Sequence, residues 1–440
     1  MTNAGEPALT TDAVSPQSGP REQRRERIAV VGAGVSGLTA AYLLAKRHDV
    51  TLLESQPRLG GHAHTHTIET PAGDVRVDSG FIVHNDRTYP LLRRLFAELG
   101  VQARNTEMSM SIRDDASGIE YAGGRGVKGF IARPRQLLDR NFVAMLRSVT
   151  RFHTLARTFL AATNDEDTTT YGEFIRAGDF PESFTRLYAV PLVACVWSSG
   201  GEQALDYPAR YLFRFLDHHG MLSVGDSPQW MTVVGGSRSY VDAIAQQLPS
   251  VRSGDPVTAV LRGPDGVQVR TRSGRAEDFD RIVLALHSDD ALGVLADATP
   301  LEKDVLGAFR YAQNETVLHR DGSLMPRARL ARSAWNYLVE SDRSRGPVVT
   351  YWMNRLQGLP QDQPFYVTLN ATDRIDPASV LATMQYRHPL YDVDAVRAQR
   401  RLPELTTART TFAGAYHGWG FHEDGCRSGV DAAAAFGVTW

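Results

Sequence analysis

The chain has little cysteine, no excess of positive charge and no long apolar run. Cys195 and Cys426 are the only two cysteines in 440 residues and lie far apart, so neither a disulfide framework nor a thiolate metal site can be built within one chain. That usage suits a reducing, cytoplasmic setting. The formal net charge of -2 provides no basic excess, and nucleic acid is not expected as a partner because phosphate binding needs one. No stretch reaches the roughly 20 consecutive apolar residues of a membrane span, which predicts a soluble protein. Internal repeats are also lacking.

What is present is ordinary globular composition, 42% hydrophobic and 22% charged, in a chain long enough for at least two cores. Residues 1–20 are rich in Thr, Ala, Pro, Ser and Gly, and residues 21–27 (REQRRER) form a charge run, so residues 1–26 are expected to be a disordered tail. The apolar stretch 28–45 that follows has the superficial order of a signal peptide. Three glycines interrupt it, however, no small-residue cleavage site follows, and residues 49–54 (DVTLLE) read as a second strand.

Residues 27–31, 36–46 and 49–54 together read as one βαβ unit. A hairpin around Ala72 and Gly73 and an amphipathic helix over 89–99 follow. From 108 to 230 the character changes to basic and aromatic helical segments such as 137–160 and 184–196. A glycine turn and helix return at 232–248, a hairpin turns at Pro264-Asp265-Gly266, and 280–286 (DRIVLAL) is a continuous apolar strand suited to a parallel sheet. Residues 315–318, 348–352 and 366–369 look like strands of a second sheet, and 411–435 runs strand, Gly-rich turn, helix. The expected fold class is α/β. A Rossmann-type dinucleotide-binding domain in three pieces, 27–107, 232–300 and 405–440, is expected to alternate with a mixed α+β substrate domain, 108–231 and 301–404.

Gly32-Ala33-Gly34-Val35-Ser36-Gly37 follows a predicted strand and opens a predicted helix, the context in which a GxGxxG pattern carries weight. Gly32 allows the tight turn, Gly34 lets the backbone approach a pyrophosphate, and Gly37 lets helix and strand pack closely. The N–H groups at the helix start, from Val35 and Ser36 onward, supply partial positive charge for phosphates. Glu54 and Ser55 end the second strand, where an acid can accept the hydrogen bonds of a ribose diol and repel a 2′-phosphate.

Downstream comes Pro57-Arg58-Leu59-Gly60-Gly61-His62. With it the chain resembles the flavin-dependent amine-oxidase superfamily, whose second strand ends in an acid, then Arg and Gly-Gly. The resemblance implies non-covalent FAD, with Arg58, Gly60, Gly61 and His62 along the ribose, pyrophosphate and flavin edge. It continues through Asp78-Ser79-Gly80-Phe81, which implies cofactor contacts at Gly80 and Phe81, through Gly235-Gly236, and through Val257, where relatives meet adenine. It closes with Phe412-Ala413-Gly414-Ala415-Tyr416 and Gly420-Phe421-His422-Glu423-Asp424-Gly425. That segment implies flavin contacts at Gly414, Ala415, Phe421, His422 and Glu423 and a positive helix end at the reduced flavin.

Further runs, among them His84 to Pro90 (HNDRTYP), Pro228-Gln229-Trp230 and Tyr351-Trp352-Met353-Asn354, resemble one branch of that superfamily over roughly residues 27–430. Its members are predicted FAD-dependent oxidoreductases often encoded beside cyclopropane-fatty-acyl synthases. By association this implies oxidation or desaturation of an apolar, acyl-lipid substrate, a methyltransferase partner and weak, peripheral membrane contact. Two alternatives stand beside it: an oxidase of a small amine or secondary metabolite, and a flavin-binding partner protein without turnover of its own.

For catalysis, His319 in TVLHR approximately matches the strand position where many amine oxidases place a lysine near the flavin, and a histidine there suits a proton carrier. Phe421 aligns with one wall of the amine-oxidase aromatic cage but lacks the hydroxyl. His422 stands as a further catalytic candidate at the flavin helix start. No metal is expected: His62, His64 and His66 alternate without a carboxylate or cysteine to complete a site. Neither cysteine matches the one that bonds the flavin covalently in relatives.

Overall fold

The strand Arg27–Val31 (RIAVV) is buried from its second residue onward, as a central parallel strand covered on both faces must be. A computed structural model describes residues 25–123, 132–223, 227–340 and 346–440 of the chain; residues 1–24 of the expected tail lie outside the described residues. Five parallel strands lie in the order Ser250–Ser253, Asp49–Glu54, Arg27–Val31, Arg281–Leu284 and Thr410–Phe412. Ile28, Leu52 and Val283 are 0% exposed in it. Each such side chain contributes about 1.5–3 kcal/mol by leaving water.

The helix Val35–Leu44 lies between this sheet and the final helix His422–Ala435. Glycine makes that crossing close: a Cβ at Gly429 would collide with the Ser36 carbonyl, and one at Gly425 would stand 2.6 Å from Val35 Cγ1. The start of the first helix is thereby fixed against the last one.

A second sheet of seven strands has the order Val380–Leu390, Arg310–His319, Tyr366–Leu369, Val348–Trp352, Trp335–Val339, Met110–Asp114 and Ile119–Gly123. Its last two strands fall in the stretch read from sequence as helical. The reason is polar burial, which hides the alternation: Ser111 and Arg113 are buried, with Ser111 Oγ donating to Asn336 Oδ1 at 2.7 Å and Arg113 paired with Asp115. The strand Val380–Leu390 was also not anticipated.

Helices cover one face of this sheet around a core rich in aromatic residues, including Phe152, Phe184, Phe213 and Trp197. Arg140–Ala162 is one continuous helix, whereas 184–196 is broken by a π turn, Thr185–Ala189, before Val190–Trp197. Pro191 explains the break, since it lacks an N–H and displaces the carbonyl four residues back. That carbonyl, of Leu187, accepts the Tyr121 hydroxyl at 2.7 Å. Among the described residues no helix is long and apolar enough to cross a membrane.

Candidate functional site

The carboxyl ends of the parallel strands open on a cleft of about 420 Å³. Gly32, Glu54, Ser55 and Val257, four of the residues expected at the cofactor, line it together with Leu286 and Asp289. Gly32 has φ 99°, and its N–H donates to the Leu53 carbonyl at 2.8 Å, which ties the turn to the neighbouring strand. Glu54 faces two ways: Oε2 accepts the Ala33 N–H at 2.8 Å, while Oε1 accepts from Ser55 Oγ at 3.0 Å and Gln56 N at 2.8 Å.

The first turn of Val35–Leu44 has no side-chain cap and no acid, so its N–H groups point toward the turn without a side-chain acceptor. Arg58 stands by: its Nη1 is buried with no partner, and burial pulls the guanidinium below its ordinary value. A Cβ at Gly34 would meet nothing within 4 Å, whereas Gly61, at φ 56°, brings the second loop to 3.1 Å from the Gly34 Cα when a Cβ is built on it. A guanidinium with its Nη1 buried and unpartnered, an uncapped helix start and open space at the middle glycine fit a pyrophosphate. Val35 and Ser36 turn their side chains to Gly425 of the last helix and offer only backbone to it. Gly37 packs against the Gly32 carbonyl.

Beyond Gly60 the chain enters a group of imidazoles. The Phe81 N–H donates to the His62 carbonyl at 2.8 Å, and Gly80 passes too close to that carbonyl for a side chain. The His62 ring lies 5.0 Å from Tyr386, 5.3 Å from His388 and 6.3 Å from His287. Its Nε2 is buried without a partner. Burial pushes both His62 and His388 down to about 3, so both are neutral. His64 and His66 serve a hydroxyl network instead: His64 Nδ1 lies 2.9 Å from the Tyr386 hydroxyl, and His66 Nε2 lies 2.9 Å from Ser79 Oγ. His287, Asp289 and Asp290 could reach a common ion, but Arg387 is paired with both acids, at 3.0 Å to Asp290, and neutralises them beside the cleft.

At the other wall, the Phe421 ring stacks on Phe215 at 4.9 Å and meets Trp197 at 6.1 Å. Its N–H donates to Asp424 Oδ2 at 2.9 Å, which sets the start of the last helix. Gly414, whose N–H donates to Ser428 Oγ at 2.9 Å, and Ala415, whose carbonyl accepts the Gly420 N–H at 3.1 Å, shape the turn before it. His422 points elsewhere, stacked on Phe81 at 3.8 Å and 3.3 Å from the Tyr240 hydroxyl. The Glu423 carboxylate is occupied too, accepting the N–H groups of Leu91 and Leu92 at 3.1 and 3.0 Å and so capping the helix Pro90–Glu98. The Glu423 carboxylate is thereby withdrawn from a cofactor, and its backbone remains.

His319 does not join this group. The register sets Ala312 opposite His388, and Asn314 shares the His388 face of the sheet, whereas His319 pairs with Val380 and Tyr366 at the strand's far end. At about 3.3 Å per residue that is roughly 17 Å beyond Asn314. There His319 is 0% exposed, with Nε2 2.7 Å from Thr368 Oγ1 and Nδ1 accepting the Asp321 N–H. Both ring nitrogens of His319 are thus engaged at the strand's far end, and Asn314 is the strand residue beside the imidazoles. Asn314, Tyr386, Arg387 and His388 escaped sequence reading, although Met384, Tyr386 and His388 alternate as a strand would have them.

The pattern of the family described as flavin containing amine oxidoreductase matches residues 35–318. A flavin-dependent L-tryptophan oxidase of Lentzea aerocolonigenes is 26% identical over 407 residues, 80% of this chain and 81% of that protein. The first curated relatives are matched over much less: the chain spans only 7% of a tryptophan 2-monooxygenase of Allorhizobium ampelinum, at 47% identity over 49 residues, 11% of this chain. Among solved structures, a putrescine oxidase variant has TM-score 0.67 at 16% identity, covering 94% of this chain and 99% of that one. A fatty acid isomerase from P. acnes has TM-score 0.67 at 16% identity, covering 93% and 98%. These two likenesses show a shared fold.

Proposed function

The chain belongs to the flavin containing amine oxidoreductases, and from that premise we propose that it is an FAD-dependent oxidoreductase that oxidises a small, largely apolar amine or nitrogenous metabolite. When bound, the flavin supplies a two-electron acceptor for a C–H bond next to nitrogen. The chain's own part is to enclose and orient. Trp197 and Phe215, both buried, and Trp419 and Phe421, both half-buried, form an aromatic wall at the start of the last helix. Such a wall excludes water and favours the uncharged amine over its ammonium.

The observation that carries this reading is the commitment of the nearby guanidiniums. Arg387 is neutralised by Asp289 and Asp290, and Arg58 fits the pyrophosphate. Neither is left to hold a substrate carboxylate, which favours an amine over an amino acid. The tryptophan oxidase and putrescine oxidase likenesses support nitrogenous substrates as a class.

An apolar acyl lipid is the second reading, favoured by the same aromatic wall and by the fold shared with a fatty acid isomerase. The methyltransferase association belongs to that reading. Anaerobic titration of the yellow protein separates the two. Bleaching by cyclohexylamine or tryptamine and not by tryptophan or oleate supports the amine reading; bleaching by oleate alone replaces it with the lipid one.

A further inference from the structure

Behind His388 runs a chain of amides whose direction the backbone dictates. The Asn370 side chain approaches the Pro347 carbonyl at 3.1 Å, and a carbonyl only accepts, so the Asn370 amide must present its NH₂ there. The same NH₂ donates to Asn314 Oδ1 at 2.8 Å. With its oxygen so occupied, Asn314 turns its own NH₂ to His388 Nδ1, 3.0 Å away. Nδ1 is therefore the acceptor of the ring, and the single proton of a neutral imidazole lies on Nε2.

Asn370 is held for this task. Its φ is 58°, in the left-handed region, and its N–H donates to the Glu315 carbonyl at 2.8 Å. Gly346 packs so closely that a Cβ there would stand 2.7 Å from Asn370 Nδ2. Asn314 is 1% exposed, and it shares a face of the sheet with His388. Opposite, the His62 ring keeps its buried Nε2 unpartnered.

We propose that Asn314, itself oriented by Asn370, is a positioning residue that locks His388 as the Nε2–H tautomer, so that the flavin side of the site meets a neutral hydrogen-bond donor. His388 then stands edge-on beside His62, 5.3 Å away, as a neutral imidazole whose donor and acceptor nitrogens are fixed. The inference rests on flavin binding at the Gly60-Gly61-His62 loop and not on the choice of substrate.

The test reads the tautomer directly, by two-bond nitrogen–proton correlation spectra of histidine-labelled full-length protein, with and without FAD. His388 is assigned by the signal lost in His388→Gln. Wild type is expected to show a bare Nδ1 and a protonated Nε2 at His388. Asn314→Asp, of equal size, exchanges a donor for an acceptor and should reverse the two. Asn370→Gly tolerates the positive φ while removing the donor, and should give a mixture of tautomers; it keeps the proposal testable if Asn314→Asp fails to fold. In flavin-loaded protein the visible absorbance band should shift with the tautomer. A protonated Nδ1 in wild type, or a spectrum unchanged in both variants, overturns the proposal whatever substrate the enzyme oxidises.

Discussion

Glu54 accepts the backbone N–H of Ala33 at 2.8 Å, so the acid that faces the cleft also braces the glycine turn beneath it. Glu54→Gln keeps an oxygen for Ala33 and loses the charge, whereas Glu54→Ala loses both. A hydrogen bond to a charged group is worth about 1.5–3 kcal/mol, so Glu54→Ala should weaken FAD by at least about tenfold and Glu54→Gln by less. Fluorescence titration of flavin-stripped protein checks the order. Equal losses would show that the turn does not depend on this contact.

Gly34 has open space above it, so the protein should fold when a side chain is placed there. That space, at the uncapped start of the first helix, is where a pyrophosphate would lie. Gly34→Val should therefore purify as a folded, colourless protein with a melting temperature near that of flavin-stripped wild type. Full flavin occupancy in that variant would falsify the placement of the cofactor.

His319 is tied to Thr368 and Asp321 at the end of its strand remote from the imidazoles. His319→Gln should lower the melting temperature, because it disturbs a fully buried hydrogen-bonded group, and leave kcat and its pH profile at the wild-type values. A reduced kcat with unchanged stability would restore His319 to the active site.

The nucleotide-binding half was largely legible in the sequence, and the reason is backbone. Gly32, Gly37 and Gly80 stand where a side chain would strike a neighbouring carbonyl, so the chain must write glycine there whatever surrounds it. Glu54 and Val257 follow from the strand ends that those turns impose. The imidazole cluster is set by side chains from strands that pair across long separations, as Asn314 does with Tyr386 and Asn370 with Glu315. Nothing local marks such residues. His319 drew attention as a histidine in an apolar strand, and Asn314, five places earlier on the same strand, gave no sign that Asn370 and His388 would meet it. The last two strands of the seven-stranded sheet, Met110–Asp114 and Ile119–Gly123, were hidden for a related reason, since polar side chains such as Ser111 are buried there and Ser111 is satisfied by Asn336, far away in the sequence.

Asp424 gives a prediction whose sign can be worked out. Burial, opposed by the Phe421 N–H and reinforced by the charge of Glu423, pushes its carboxyl up from the ordinary 3.8 to about 7. The folded state thus holds this proton more tightly than the unfolded chain. Its contribution to stability is fully present below the ordinary value of 3.8 and is lost as pH rises through about 7. Asp424→Asn keeps an oxygen to accept the Phe421 N–H but cannot ionise. The melting temperature of Asp424→Asn relative to wild type should therefore climb between about pH 4 and pH 7 and level off above. Other raised carboxyls, such as Asp78 at about 6, are common to both proteins and cancel in the difference. Paired thermal melts across that range decide the matter: a difference that stays flat with pH means that Asp424 ionises as freely in the folded protein as in the unfolded chain.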